Sequence, residues 1–153
     1  MTRLLGIDLG LRRIGLAVAE TASGEVVPLA TIRRSTPERD GRTIARIAAE
    51  QAIDELIVGL PLLLDGSIGR QAAETEAWAL SALAGLDRPV SFRDERLTTE
   101  RAELCVGRPA RGRSGAPPSA HARQAHRARI DREAAALILQ AELDARSGVG
   151  GAA

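Results

Sequence analysis

The 153-residue chain has no lysine, so all twenty-one basic residues are arginine. It has one cysteine, no tyrosine, and only two aromatic residues, Trp78 and Phe92. Each shortage excludes something. Cys105 alone cannot close an internal disulfide or build a cysteine-based zinc site. With so few aromatics, base stacking cannot be the main device for holding nucleic acid. Any such affinity must come from guanidinium contacts to phosphate. No run approaches the roughly 20 apolar residues of a membrane span. Met1-Thr2-Arg3 leads straight into a strand-like run, without the apolar stretch and cleavage site of a secretory signal, so a cytoplasmic location is expected. The Walker phosphate loop and the helical His-pair zinc motif are also missing.

What is present fits a globular enzyme. Hydrophobic residues make up 44% and charged residues 27%, too apolar for wholesale disorder. The length suits a single domain, expected over residues 1–146, with a small-residue tail at 147–153 expected to be disordered. The formal net charge of +1 hides an asymmetry. Between Leu104 and Ile130 lie six arginines (Arg108, Arg111, Arg113, Arg123, Arg127 and Arg129) and no acid, which leaves fifteen arginines against twenty acids elsewhere. A basic block beside an acidic body often touches a polyanion, although a solvated loop has the same composition.

Leu4 to Asp8 and Ile14 to Val18 read as two strands joined by a glycine-bearing turn, and Val26 to Ile32 as a third. Thr36-Pro37 supplies an N-cap and a first-turn proline for a helix with Ile44, Ile47, Ala48 and Ala52 on one face. A buried-type strand follows at Leu56-Ile57-Val58, then a helix over Arg70 to Leu83 with Ala73, Ala77, Leu80 and Ala84 recurring at helical spacing. Pro89 to Phe92 forms a fifth strand ending at Asp94-Glu95. Thr98 or Thr99 can cap a helix to about Val106. Residues 107–126 are rich in Gly, Pro, Ser, Ala and Arg and predict a mobile basic loop. A last helix is expected from about Ile130 to Ala145. This order predicts an α/β fold: a mixed five-stranded sheet, three antiparallel strands then alternating strands and helices, with helices on both faces.

Asp8 ends the first strand, Asp94 and Glu95 end the fifth, and Asp131 opens the last helix. Strand ends of α/β sheets are where ligands bind. Carboxylates gathered there repel one another unless a cation neutralises them, and Mg²⁺ or Mn²⁺ suit an all-oxygen set. One or two such ions could activate water toward a phosphodiester. Each acid alone has an ordinary alternative: an Asx turn for Asp8, a surface ion pair for Asp94-Glu95, an N-cap for Asp131. Their joint placement points to chemistry. Arg12, Arg13 and Arg96 flank the acidic strand ends and could hold a scissile strand or merely balance the carboxylates. His121 and His126 read as solvated loop side chains, and Cys105 and Trp78 as core.

Four sequence blocks resemble the YqgF family, also called RuvX: Gly6-Ile7-Asp8-Leu9-Gly10-Leu11-Arg12-Arg13-Ile14-Gly15; Val58-Gly59-Leu60-Pro61 with Asp65-Gly66 and Gln71-Ala72; Asp94-Glu95-Arg96-Leu97-Thr98-Thr99-Glu100; and Ile130-Asp131 with Ala134 to Gln140. The resemblance implies a fold similar to ribonuclease H and to Holliday-junction resolvases. It implies a metal-dependent nuclease assigned to 5′-end maturation of pre-16S rRNA in ribosome biogenesis, with junction resolution as the older proposal. Asp8, Glu95 or its neighbour Asp94, and Asp131 would then hold Mg²⁺ or Mn²⁺. The segment 108–129 would clamp RNA, and a ribosomal precursor particle becomes a candidate partner. Where related resolvases carry an acid on the strand after the first helix, this chain has Gly59-Leu60-Pro61, which favours the Asp94-Glu95 pair. It also has Ala19-Glu20 where the family often has Ser-Asp, and Leu63 where Asn is common. Two other readings stand beside this one. A non-catalytic nucleic-acid-binding module would keep the fold without needing the acids. The Gly6-Ile7-Asp8-Leu9-Gly10 run also resembles the start of actin-like ATPases and sugar kinases, which need a far longer chain.

Overall fold

A computed structural model describes residues 2–95, 102, 104, 106, 107 and 115–148. Among them are five strands, β1 (Arg3–Leu9), β2 (Arg13–Glu20), β3 (Val26–Arg33), β4 (Glu55–Leu60) and β5 (Val90–Asp94). Three long helices accompany them: α1 (Pro37–Glu50), α2 (Arg70–Ala82) and α3 (Ala120–Arg146). The sheet order is β3-β2-β1-β4-β5, antiparallel across β1, β2 and β3 and parallel across β1, β4 and β5. This is the expected mixed five-stranded α/β sheet.

Strand alternation sorts the side chains onto two faces. Leu5, Ile7 and Leu9 of β1, with Ile14, Leu16 and Val18 of β2, join Leu56, Val58, Ile44, Ile47, Trp78 and Ala82 in one core beneath α1 and α2. The other face sets Leu4, Ala17, Ala19 and Ile57 against Ala135, Ile138, Leu139 and Leu143 of α3. Each fully buried aliphatic side chain here contributes roughly 1.5–3 kcal/mol of transfer free energy.

The start of α1 is as expected: Thr36 Oγ1 accepts from the Arg39 amide at 3.3 Å, and Pro37 sits in the first turn. Ala52 does not belong to its buried face, because it lies beyond the helix with a φ of +52°. The buried face of α2 also differs. It is Ala72, Thr75, Trp78, Ala79 and Ala82, whereas Leu80 is 74% exposed. Trp78 decides this orientation. Its ring offers far more apolar area than an alanine row, and its indole Nε1–H donates to the buried Asp40 carboxylate at 3.1 Å.

The largest correction concerns the last helix. It begins at Ala120, about one-third of its length earlier than expected, so Arg123, His126, Arg127 and Arg129 stand on a helix and not in a mobile loop. Ser119 Oγ accepts from the Ala122 amide at 3.1 Å, capping a run of alanine, arginine and glutamine with high helix propensity. Asp131 therefore sits inside the helix and cannot be its N-cap. His126 is buried, not solvated. Ala102, Leu104 and Val106 are helical, in line with a helix ending near Val106. The expected cap at Thr98 or Thr99, Cys105, Arg96, Arg108, Arg111, Arg113 and the 149–153 part of the tail lie outside the described residues.

Candidate active site

The site is built where three strands end beneath α3. Asp8 is on the α3 face of β1, opposite Gly15 of β2 in the antiparallel register. A Cβ on Gly15 would collide with the backbone carbonyl of Asp131, so only glycine lets α3 settle this close to the sheet. The residue that seats the helix is thus the neighbour of Asp8, and the residue it touches is Asp131.

On the other side of Asp8, β4 runs parallel to β1 and β5 parallel to β4, with Gly59 beside Arg93 and Leu60 beside Asp94. The Glu95 amide donates to the Leu60 carbonyl at 3.1 Å, which carries the pairing one residue past β5. Arg93 reaches Glu142 of α3 at 3.2 Å, so alternation puts Glu95 on that same face and Asp94 on the opposite one. Glu95 is 8% exposed; Asp94 is exposed. A Cβ on Gly59 would stand 2.7 Å from Glu95 Oε2. The absence of a side chain at Gly59 of β4 therefore makes the space that Glu95 occupies.

Asp8 and Glu95 share a side-chain hydrogen bond. Burial, opposed by that bond and assisted by the charge of Asp131, pushes Asp8 up to about 6. Burial, then the charge and hydrogen bond of Asp8 and the charge of Asp94, push Glu95 up to about 10. At neutral pH the pair therefore holds one proton between its two carboxyls.

Asp131 approaches from α3 but is held by Arg13, whose Nε donates to Oδ2 at 2.7 Å. Among the described residues no three carboxylate, histidine or cysteine groups converge as a ready metal cage. The structure thus brings Asp8 and Glu95 together and sets Asp131 beside them in an ion pair. Asp94 stays outside. Arg12, Arg13 and Arg127 line a cavity of about 400 Å³ with Gly10, Leu11 and Asp131. Arg123 and Arg129 are exposed along α3. The roles of Gly15 and Gly59 were not read from the sequence. A glycine inside an otherwise apolar strand run was the available signal for both.

Among the described residues no helix is long and apolar enough to cross a membrane. A protein of Chloroflexus aggregans named "Putative pre-16S rRNA nuclease" is 39% identical over 143 residues, covering 94% of each chain. One of the same name from Synechococcus elongatus is 41% identical over 140 residues, covering 92% of this chain and 87% of its own. Among solved structures, Thermus thermophilus RuvC in complex with a Holliday junction substrate matches with a TM-score of 0.54 at 18% identity over 97% of both chains, a likeness of fold. The sequence model of the family described as "RuvX: Holliday junction resolvase" matches residues 2–145, and the chain belongs to that family.

Proposed function

We propose that the protein is a divalent-metal-dependent nuclease that hydrolyses phosphodiester bonds of the 16S rRNA precursor, at its 5′ end as the family resemblance implies. The observation that carries this reading is the buried Asp8–Glu95 pair at the strand ends, with Asp131 beside it. Two buried carboxylates that share a proton are an all-oxygen donor set with charge held in check by that proton. This fits a hard cation such as Mg²⁺ or Mn²⁺. The names of relatives about 40% identical support the RNA substrate. The expected setting is the cytoplasm, with residues 1–146 as the catalytic domain.

A cation bound there supplies Lewis-acid stabilisation of the phosphodiester and lowers the pKa of water. The chain's own contributions can be separated. Asp8 and Glu95 would hold the cation once both are ionised, and its charge would relieve their mutual repulsion. Asp131 would complete the set from the helix side. Arg13 holds the Asp131 side chain at the rim, and Arg12 beside it is placed to take a phosphate oxygen. Asp94 adds negative charge near Glu95 without reaching the pair.

A second reading, cleavage of four-way DNA junctions, is favoured by the description of the matching family. Incubating the protein with precursor rRNA and with four-way DNA junctions, each with Mn²⁺ or chelator, separates the two. Asp8→Asn, Glu95→Gln and Asp131→Asn should each abolish cleavage. Cleavage in chelator, or cleavage retained in all three variants, overturns the reading. An absence of either cleavage alongside metal-independent binding would favour the non-catalytic module instead.

A further inference from the structure

Beside the acid site lies a second cavity, of about 630 Å³, between the β1–β2 turn, the end of β3 and the first half of α3. Its charged lining is Arg12, Arg13, Arg33, Arg34 and Arg127, with no acid lining it among the described residues. It shares Leu11, Arg12, Arg13 and Arg127 with the smaller cavity lined by Asp131, so the two form one path that leads to Asp131.

The arginines are not equivalent. Arg13 is committed to Asp131, and Arg34 Nη1 donates to the Gly10 carbonyl at 2.9 Å, bracing the turn that forms one wall. The Arg34 amide also donates to the Arg12 carbonyl at 2.8 Å. Thr31 Oγ1 donates to the Ala128 carbonyl at 2.6 Å, fixing α3 against β3 at the floor. The walls are therefore preformed. Arg12, Arg33 and Arg127 have no ion-pair partner among the described residues. Guanidinium groups converging on one cleft without a carboxylate repel one another, and only an anion turns that arrangement favourable. The volume is of ligand size, since small-molecule pockets run to roughly 300–1,000 Å³. Those pockets, however, are lined mainly by apolar and aromatic groups. A guanidinium lining without an aromatic matches the phosphodiester backbone of a nucleic-acid strand.

We propose that this groove is a track for the substrate backbone flanking the scissile phosphate, with Arg33 of β3 and Arg127 of α3 as its principal phosphate contacts. The inference rests on the nuclease reading and adds to it a strand path over the β3 edge. Arg33 was not among the arginines singled out from the sequence.

The test is equilibrium binding of a fluorescein-labelled single-stranded RNA oligonucleotide in chelator, over a salt series, which keeps binding separate from cleavage. Arg33→Ala/Arg127→Ala should weaken binding about tenfold at low salt. The slope of log K against log salt should flatten by roughly 1.4, about 0.7 for each lost single-strand contact. Arg33→Lys/Arg127→Lys should keep most of the slope. Arg70→Ala, on α2 and paired with Glu74, should match wild type. Unchanged affinity and slope in the double alanine variant overturn the groove. So does a loss equalled by Arg70→Ala, or displacement of the RNA by polyglutamate at equal charge concentration. Wild-type cleavage of the same oligonucleotide with Mn²⁺ is measured separately. Its absence would count against the nuclease reading, while a selective binding loss in the double alanine variant would still support the groove.

Discussion

Replacing Asp8 with asparagine should stabilise the metal-free protein at alkaline pH while destroying its response to metal. The two carboxyls are raised, Asp8 from 3.8 to about 6 and Glu95 from 4.5 to about 10. A group whose folded pKa is raised favours the folded state below its unfolded pKa and loses that contribution as pH rises toward the folded pKa. For Asp8 the loss runs between about pH 4 and 6, and for Glu95 it continues through the neutral range to about 10. The wild-type chain in chelator should therefore become steadily less stable from pH 5 to pH 9. The rise at Asp8 corresponds to roughly 3 kcal/mol above pH 6. Asparagine removes that charge, and its amide can donate to the Glu95 carboxylate, which lowers the Glu95 pKa as well. At roughly 2–4 °C per kcal/mol for a chain of this size, Asp8→Asn should raise Tm by about 6–12 °C at pH 8 and flatten the pH dependence. Thermal melts in chelator across that range measure it. In a parallel series with Mn²⁺ the wild-type Tm should climb with metal concentration, as for any ligand that binds only the folded state, and the variant should not follow. A variant less stable than wild type at pH 8, or one with an unchanged pH slope, would refute the buried-pair account.

Other substitutions probe the frame around the pair. Gly15→Ala drives a methyl into the Asp131 carbonyl and should cost about 3 kcal/mol or more in urea denaturation, since neither backbone can yield easily; a cost below 1 kcal/mol would mean that α3 is not seated on Gly15. Gly59→Ala intrudes on Glu95, so cleavage should fall at least tenfold while the circular dichroism spectrum is kept, and unaltered activity would separate Glu95 from the reaction. Trp78→Phe keeps most of the ring but removes the donor to Asp40, which still accepts from the Ser35 amide at 2.9 Å. Denaturant unfolding should register a loss of about 1–3 kcal/mol, and no loss would mean that water replaces the indole at no cost.

Much of the frame was legible because its signals are local and strong. The alternation in β1 and β2, the turn between them and the Thr36-Pro37 start of α1 each follow from a few adjacent residues. Two features misled. Alanines at helical spacing suggested one face of α2, but alanine carries little area, and Trp78 and Thr75 turned the helix the other way. The stretch before Ile130 shows no apolar period because much of that part of α3 faces solvent or the arginine groove, so it reads as a loop; only alanine and arginine propensity and the cap at Ser119 mark the helix there. At the candidate site, strand-end position singled out Asp8 and the Asp94-Glu95 pair as candidates. Choosing between the last two required knowing which way β5 faces, which the Arg93–Glu142 contact reveals only in three dimensions. The Arg13–Asp131 ion pair joins a strand to a helix far along the chain and leaves no mark on either local pattern.

The 27 residues of α3 form one uninterrupted rod about 40 Å long. Arg127 and Asp131 lie one turn apart on it, and the rod's rotation is fixed where Gly15 receives the Asp131 carbonyl. Groove and acid are therefore held in angular phase. A single residue inserted between them would rotate one against the other by about 100° and displace it by only 1.5 Å. In this fold the length of chain from Arg127 to Asp131 is constrained as tightly as the identity of either residue, and natural variation in α3 should favour substitution there and reserve insertion and deletion for its two ends.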